Sequence, residues 1–303
     1  LGDEGAAAVS TARGIALVTG ASSGFGLLTS IALAQKGYQV IATMRDLSRS
    51  DSLMQQAEKA GVTSFIDTLI LDVTIPTSIE QAVSAIMKKY GRIDVLINNA
   101  GFAVGGYVED VPMEAWRSQL ETNVFGVIAT TKAVLPIMRA RQSGCIINVS
   151  SVSGLSAFPG YAPYSTSKFA IEGFSESLRL EMMPFGIRVH LVEPGAYRTE
   201  IWRKGFETIH TTEASPYWQR LSRVLAYSRK ASMTAPDPQE VADVIARLVD
   251  RPGSKLRYPL GRGVQMGLLA RSFLSWKWYE GLLNRLLNDS DSDRESRTQK
   301  TKE

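Results

Sequence analysis

The chain has 303 residues, 44% of them hydrophobic, with 34 Lys and Arg against 30 Asp and Glu, a formal charge of +4. That apolar share suffices for a sizeable core, and with no basic cluster before the last ten residues the charge gives no support for a nucleic-acid partner. A single cysteine excludes an internal disulfide, and no segment reaches the roughly 20 apolar residues needed to span a bilayer.

Residues 1–13 lack the basic start and long apolar run of a signal peptide and read as a disordered leader. From there, short apolar runs alternate with amphipathic stretches. "IALVTG" (15–20) reads as a buried strand, followed by a helix near 24–36. "YQVIATM" (38–44) is a second strand, with a helix near 50–60. "DTLILDV" (67–73) leads to a helix starting near Pro76. "IDVLINNAG" (93–101) leads to a long helix near 112–141, which Pro136 should kink. "CIINVSS" (145–151) contains Cys145, read as a small buried residue suited to a reducing, cytoplasmic compartment. "IRVHLVEPG" (187–195) is the sixth run. Val-, Ile- and Leu-rich strands separated by helices imply βαβ units and a doubly wound parallel sheet of about seven strands, covered on both faces, in a single α/β domain over 14–260. Residues 196–236 break the rhythm and read as an irregular substrate lid. Residues 238–250 read as a helix, "LRYPL" as a short strand, 261–288 as a helical extension and 289–303 as a disordered tail.

Gly20, Gly24 and Gly26 in "VTGASSGFG" lie where the first strand should turn into the first helix. Glycine allows positive φ and close backbone approach, and a helix start offers unpaired N–H groups to a pyrophosphate. A plain tight turn is the alternative. At the end of the second strand, an acidic residue would suit a ribose 2′-hydroxyl and a basic one a 2′-phosphate. "ATMRD" puts Thr43 near the acidic slot, Arg45 two residues on and Asp46 beside it as a competitor. This favours NADP(H), with NAD(H) as the other option and Ser22 and Ser23 as further donors.

In "YAPYSTSK", Tyr164 stands four residues before Lys168, on the same face of a helix one turn away. Pro163 suits the first helical position, and Tyr161 falls in the preceding loop. "TGASSGFG" (19–26), "LDV" (71–73), "NNAG" (98–101), Asn123 in "NVFG", Ser151 in "NVSS", "YSTSK" (164–168) and "EPG" with Thr199 occur in register over about residues 13–260. The set resembles the short-chain dehydrogenase/reductase family, a Rossmann-type fold. "IATMRD" and "SKFAIEGFSESLRLEMMPFGI" are similar to its branch of 17β-hydroxysteroid and retinol dehydrogenases.

The resemblance implies an NADP(H)-dependent oxidoreductase that interconverts a secondary alcohol and a ketone, the alternative being a catalytically silent NADP sensor. A phenol near pKa 10 needs help to exchange protons at neutral pH, and a neighbouring cation favours the phenolate. Tyr164 is thus the acid/base and Lys168 its cation. Ser151, thirteen residues before the tyrosine, holds the substrate oxygen, with Ser150 and Ser153 as rivals. Asn123 holds a water for proton relay. The family's pattern also assigns Asp72 with Val73 and Asn99, Ala100 and Gly101 to the adenine and ribose side. Pro194, Gly195 and Thr199 fall to the nicotinamide. Phe25, bulkier than the family's usual residue, should turn into the helix–sheet packing. No metal is expected. Tyr161 is expected to line the substrate cleft and His210 to lie in the lid. His190 reads as strand packing, and Arg198, Arg203 and Lys204 as lid cations that face water, the alternative being contact with an anionic group of the substrate. The aromatic lid suits a bulky apolar alcohol or carbonyl. Relatives are usually homodimers or homotetramers through the two long helices. The Trp-containing C-terminal helix reads first as a cover for the substrate cleft or for another subunit, with a membrane-surface contact as the alternative.

Overall fold

The computed structural model describes residues 12–251, 255–285 and 287, with only the backbone for 201–204. The expected tail at 289–303 and all but two residues of the expected leader lie outside the described residues, as do the Arg203 and Lys204 side chains.

Seven parallel strands form one sheet in the order β3-β2-β1-β4-β6-β7-β9. They are β1 (Ile15–Thr19), β2 (Gln39–Met44), β3 (Ile66–Ile70), β4 (Val95–Asn98), β6 (Gly144–Val149), β7 (Ile187–Pro194) and β9 (Arg257–Leu260). Every residue of β1 and β2 is buried, because both faces of the sheet are covered. Alternate side chains enter two separate cores: Ala16, Val18, Ile97 and Ile147 go to one, and Ile15, Leu17, Leu96 and Ile146 to the other. Helices α1 (Gly24–Gln35), α2 (Asp51–Lys59) and α9 (Gln239–Asp250) close the first face. On the second lie α3 (Pro76–Tyr90), α5 (Gly126–Ala140) and α6 (Ala162–Met182). Each fully buried Leu, Ile or Val contributes on the order of 1.5–3 kcal/mol. The order reverses between β1 and β4, which opens a crevice at the carboxyl ends of the central strands.

Four elements differ from the sequence reading. The long helix is two α-helical pieces, α4 (Met113–Leu120) and α5, joined by a π-turn at Glu121–Phe125. Pro136 lies inside α5, so the break in α-helical bonding falls earlier, where Asn123 sits. Residues 196–236 are largely regular: α7 (Glu200–Glu207), β8 (Ile209–His210) paired with β5 (Gly105–Gly106), and α8 (Trp218–Met233). The buried Leu221, Val224, Leu225 and Ser228 give α8 its helical stripe, which interleaved cations and aromatics obscure in the sequence. The C-terminal extension is not one helix. Helix α10 (Val264–Phe273) stops at an extended Leu274, and a second helical stretch follows from 276 to 285. Ala162 rather than Pro163 opens α6.

Candidate active site

The turn between β1 and α1 is shaped by its glycines. Gly20 and Gly24 have φ of +68° and +57°, and a Cβ on Gly26 would lie 2.4 Å from both the Gly20 carbonyl oxygen and Asn99 Nδ2. Asn99 donates from Nδ2 to the carbonyls of Thr19 (2.9 Å) and Gly20 (3.0 Å), so it pins the turn. Ser23, the N-cap of α1, makes no capping bond with its side chain, which leaves the helix's first N–H groups facing the crevice. Phe25 packs edge-on against Tyr197 at 5.8 Å and joins the adjoining core, as its position in the helix predicts.

A cavity of about 640 Å³ runs from this turn along the ends of the strands. Gly20, Ser22, Ser23, Gly24 and Phe25 line one end, followed by Arg45, Asp72 and Val73, then Asn99, Ala100 and Gly101. Asn123, Tyr164, Lys168 and Thr199 line it farther on. Gly26, Pro194 at the end of β7 and Gly195 after it are not among the residues that line the cavity. Gly195 N–H bonds the Leu260 carbonyl at 2.8 Å, an anchor between β7 and β9.

Thr43 does not occupy the ribose slot. It is fully buried, its hydroxyl donates to the Val18 carbonyl of β1 at 2.9 Å, and it is not among the residues that line the cavity. The wall there is Met44, Arg45, Asp46 and Arg49. Asp46 accepts from Ser48 N–H at 3.0 Å, and this interaction with Ser48 holds its carboxyl below the usual range. Asp46 therefore caps the single 3₁₀ turn Leu47–Arg49, and that turn brings Arg49 to the wall beside Arg45. The sequence reading missed Arg49. The signal available was "RDLSR", two arginines four apart around a capping Asp. Asp72 accepts from Thr74 N–H at 2.9 Å and Thr74 Oγ1 at 2.7 Å, which fixes it at the end of β3.

At the other end, Ser151 ends the β6 segment as N-cap of a short 3₁₀ turn. It accepts from Ser153 N–H (3.1 Å) and donates to the Pro194 carbonyl (3.3 Å). Its rival Ser150 lines the cavity, which Ser151 does not, but its hydroxyl is committed to Glu172 Oε1 at 2.5 Å. Tyr164 sits in the first turn of α6, with the Lys168 Nζ 5.6 Å from its ring centre. Lys168 Nζ donates to the Val149 carbonyl at 2.8 Å. Burial lowers the Lys168 ammonium to about 8, partly opposed by Glu172. Burial raises the Tyr164 phenol, and the Ser151 hydroxyl works in the opposite direction. The sequence reading, which weighed the lysine, the oxidised nicotinamide and the helix dipole but not burial, anticipates a lowered phenol; in the chain by itself desolvation of the phenolate raises it. Asn123 is buried in the π-turn. It accepts from Phe102 N–H (3.1 Å) and donates to the Phe102 carbonyl (3.0 Å) and Ser167 Oγ (3.2 Å). π-Turns of this kind recur at functional sites.

Tyr161 does not line the cavity; it precedes α6 as its N-cap and bridges to Gly106. His210 lies in β8 against Gly106. His190 is fully buried in β7, with a ring nitrogen 3.0 Å from the Lys255 carbonyl.

Behind Lys168 is a cluster the sequence reading did not anticipate. Arg257 donates from Nε to Glu172 (2.9 Å) and from Nη2 to Glu176 (2.8 Å), and its Nε stands 3.5 Å from Glu193. Glu193 is fully buried with no well-formed hydrogen bond to either oxygen. Burial, reinforced by the negative Glu172, raises its carboxyl far above the usual range.

Positive-φ glycines, a cradle that a Cβ would fill, open N–H groups at a helix start and two arginines at the far wall fit a dinucleotide. The short chain dehydrogenase family profile matches residues 14–210. The chain is 48% identical to the uncharacterized oxidoreductase YusZ of Bacillus subtilis over 90% of this chain and 98% of that protein. It is 39% identical to a 3-ketodihydrosphingosine reductase of Bacteroides thetaiotaomicron (86% and 92%) and 38% identical to retinol dehydrogenase 8 of Bos taurus (80% and 79%). The last carries the likeness to the retinol and hydroxysteroid dehydrogenase branch expected from the sequence. Among solved structures, a short-chain dehydrogenase from Streptomyces avermitilis superposes with a TM-score of 0.74 at 33% identity, covering 93% of this chain and 97% of that one. An actinorhodin polyketide ketoreductase with NADPH superposes at 0.72 and 31% identity (84% and 98%). With its doubly wound sheet and its match over most of that sheet, the chain belongs to the short chain dehydrogenase family, as an oxidoreductase acting on CH–OH donors.

Proposed function

We propose that the chain interconverts a bulky, apolar secondary alcohol and its ketone with NADP(H), using Tyr164 as the proton donor and acceptor. The observation that carries this reading is the convergence of Tyr164, Lys168 and Asn123 on the cavity that the glycine turn opens, with the Ser151 hydroxyl acting on the phenol. A nicotinamide bound there supplies the hydride. Tyr164 passes its proton to the carbonyl oxygen during reduction and takes it back during oxidation. The Ser151 hydroxyl steadies the same oxygen as charge develops on it. Lys168 favours the phenolate by its charge, and after reduction its ammonium passes a proton back to the phenolate and is recharged from solvent by way of a water held by Asn123. Asp72, Val73, Asn99, Ala100 and Gly101 hold the adenine and ribose side, and Thr199 with Pro194 and Gly195 the amide end.

Arg45 and Arg49 on the cavity wall support the choice of NADP(H), because a 2′-phosphate is held best by guanidinium groups. Lid elements α7 and α8 and the Phe158–Tyr227 stack at 5.5 Å support a bulky substrate, as do relatives named for retinol and for ketodihydrosphingosine. The exposed Phe125 at the α4–α5 junction and Phe169 and Leu180 on α6 support a homodimer or homotetramer through the long helices. The buried Cys145 is consistent with a reducing, cytoplasmic compartment.

The test is the loss of reduced-cofactor absorbance with a panel of ketones and aldehydes, and its gain with the matching alcohols, using NADPH and NADH in parallel. Turnover of apolar ketones with NADPH ahead of NADH is expected. Cofactor binding without turnover across the panel would leave a sensor in place of an enzyme.

A further inference from the structure

Six large apolar side chains between residues 266 and 282 stand in solvent: Met266, Leu269, Phe273, Trp276, Trp278 and Leu282. Phe273 is 86% exposed and Trp278 71%. Met266, Leu269 and Phe273 recur at helical spacing along α10, and Trp278 and Leu282 lie one turn apart in the stretch that follows. Single exposed apolar residues are ordinary, but a grouped set on one extension marks a surface meant to be covered.

The charges around them choose the occupant. Residues 262–285 carry Arg262, Arg271, Lys277 and Arg285 against one acid, Glu280. A second copy of the chain would meet this surface with the same surface across a twofold axis, setting four cations and one acid against the same set, a net repulsion. An anionic lipid surface complements both features. Its headgroups neutralise the cations, and the acyl boundary takes the Phe, Leu and Met side chains. Tryptophans are the residues that settle at that boundary. The Arg271 guanidinium lies 4.3 Å from the Trp276 ring centre and 4.9 Å from that of Tyr279, so aromatic and cation form a single tip.

We infer that α10 and the following helical stretch form a docking surface for an anionic membrane. It is joined to the neighbourhood of the cleft at two points. Tyr279 and Ser156, in the loop after Ser151, share a hydroxyl bond of 2.8 Å, and Arg220 of α8 donates to Asn284 at 3.2 Å. Docking there sets the lid side of the cleft against the lipid, from which an apolar substrate would enter; this last point rests on the proposed function, whereas the docking itself does not.

The experiment is co-sedimentation of the full chain with vesicles of phosphatidylglycerol and phosphatidylcholine, compared with phosphatidylcholine alone, at low and at high salt. The chain is expected to sediment with anionic vesicles at low salt and to be released as salt screens the cations. Lys277→Gln with Arg285→Gln, both exposed, should weaken binding by roughly 10- to 30-fold at about fivefold per cation. Phe273→Ser with Trp278→Ser should weaken it at least tenfold, with the thermal melting curve as the control for folding. No sedimentation of the wild type, or equal sedimentation of wild type and both variants, would overturn the proposal. A dimer that Phe273→Ser with Trp278→Ser converts to monomer in lipid-free buffer would also overturn it, because the surface would then serve a second copy.

Discussion

The Lys168 ammonium lies 5.6 Å from the centre of the Tyr164 ring and spends its hydrogen bond on the Val149 carbonyl, at 2.8 Å, rather than on the phenol. In the proposed mechanism it would act on the tyrosine as a nearby charge, and its own charge depends on what surrounds it. Burial lowers it to about 8, and Glu172, one turn farther along α6, pulls the other way. A carboxylate outside the cavity lining thus opposes the effect of burial on the cation's charge.

Glu172→Gln removes that support. The Lys168 ammonium then loses its proton at lower pH, and the alkaline limb of the pH profile of kcat/KM moves to lower pH. Glu172→Asp, which keeps the charge, should leave the limb near its original position. A limb unmoved in Glu172→Gln would show that Glu172 serves only the Ser150 and Arg257 bonds.

Glu193 gives a stability prediction. Its folded carboxyl is raised from 4.5 to about 8, so the folded chain holds a proton that the unfolded chain releases. Its contribution is fully present below about pH 4.5 and is lost as pH rises through about 8. Glu193→Gln cannot release that proton. Thermal unfolding followed from pH 5 to pH 8.5 should therefore show the wild type losing melting temperature relative to Glu193→Gln as pH rises. Parallel curves would mean that Glu193 carries no raised carboxyl.

Arg45 and Arg49 share the wall where the adenine ribose would lie. Arg45→Asp should raise KM for NADPH by roughly 10- to 100-fold, the loss of about 1.5–3 kcal/mol from a charge-assisted bond, and leave KM for NADH unchanged or lower. Arg49→Ala should do the same more weakly. An equal change for both cofactors would remove the 2′-phosphate from these residues.

Gly26→Ala places a methyl 2.4 Å from the Gly20 carbonyl oxygen and Asn99 Nδ2, so the pinned turn must open. Strain of about 1–3 kcal/mol should lower the melting temperature, and cofactor affinity should fall at least tenfold. Unchanged affinity, measured by titrating the protein's fluorescence with NADPH, would contradict the role given to this turn.

The sheet was legible because parallel strands buried on both faces leave unbroken Val and Ile runs such as those of β1 and β6. Tyr164, Lys168 and the glycine turn were legible because each is a local spacing. What escaped depends on contacts across the fold. Thr43 looks like a ribose residue in sequence, but its hydroxyl is committed to the Val18 carbonyl of β1. Arg49 reaches the wall only because Asp46 caps an intervening turn. Glu172, Glu193 and Arg257 come from α6, β7 and β9, and no spacing along the chain brings them together. Helix α8 was hidden because four of its buried side chains are separated by Arg, Tyr and Ser that face outward or sideways. The phenol's direction also needed the structure, since composition records the cation but not the burial that raises the phenol.

The most direct test replaces Tyr164 by Phe and measures single-turnover oxidation of NADPH by a ketone the wild type reduces. The account predicts a fall of about 10²–10⁴-fold in rate, with NADPH affinity and melting temperature close to wild type. A variant that keeps near-normal turnover would contradict it, because the proton would then come from somewhere other than this phenol.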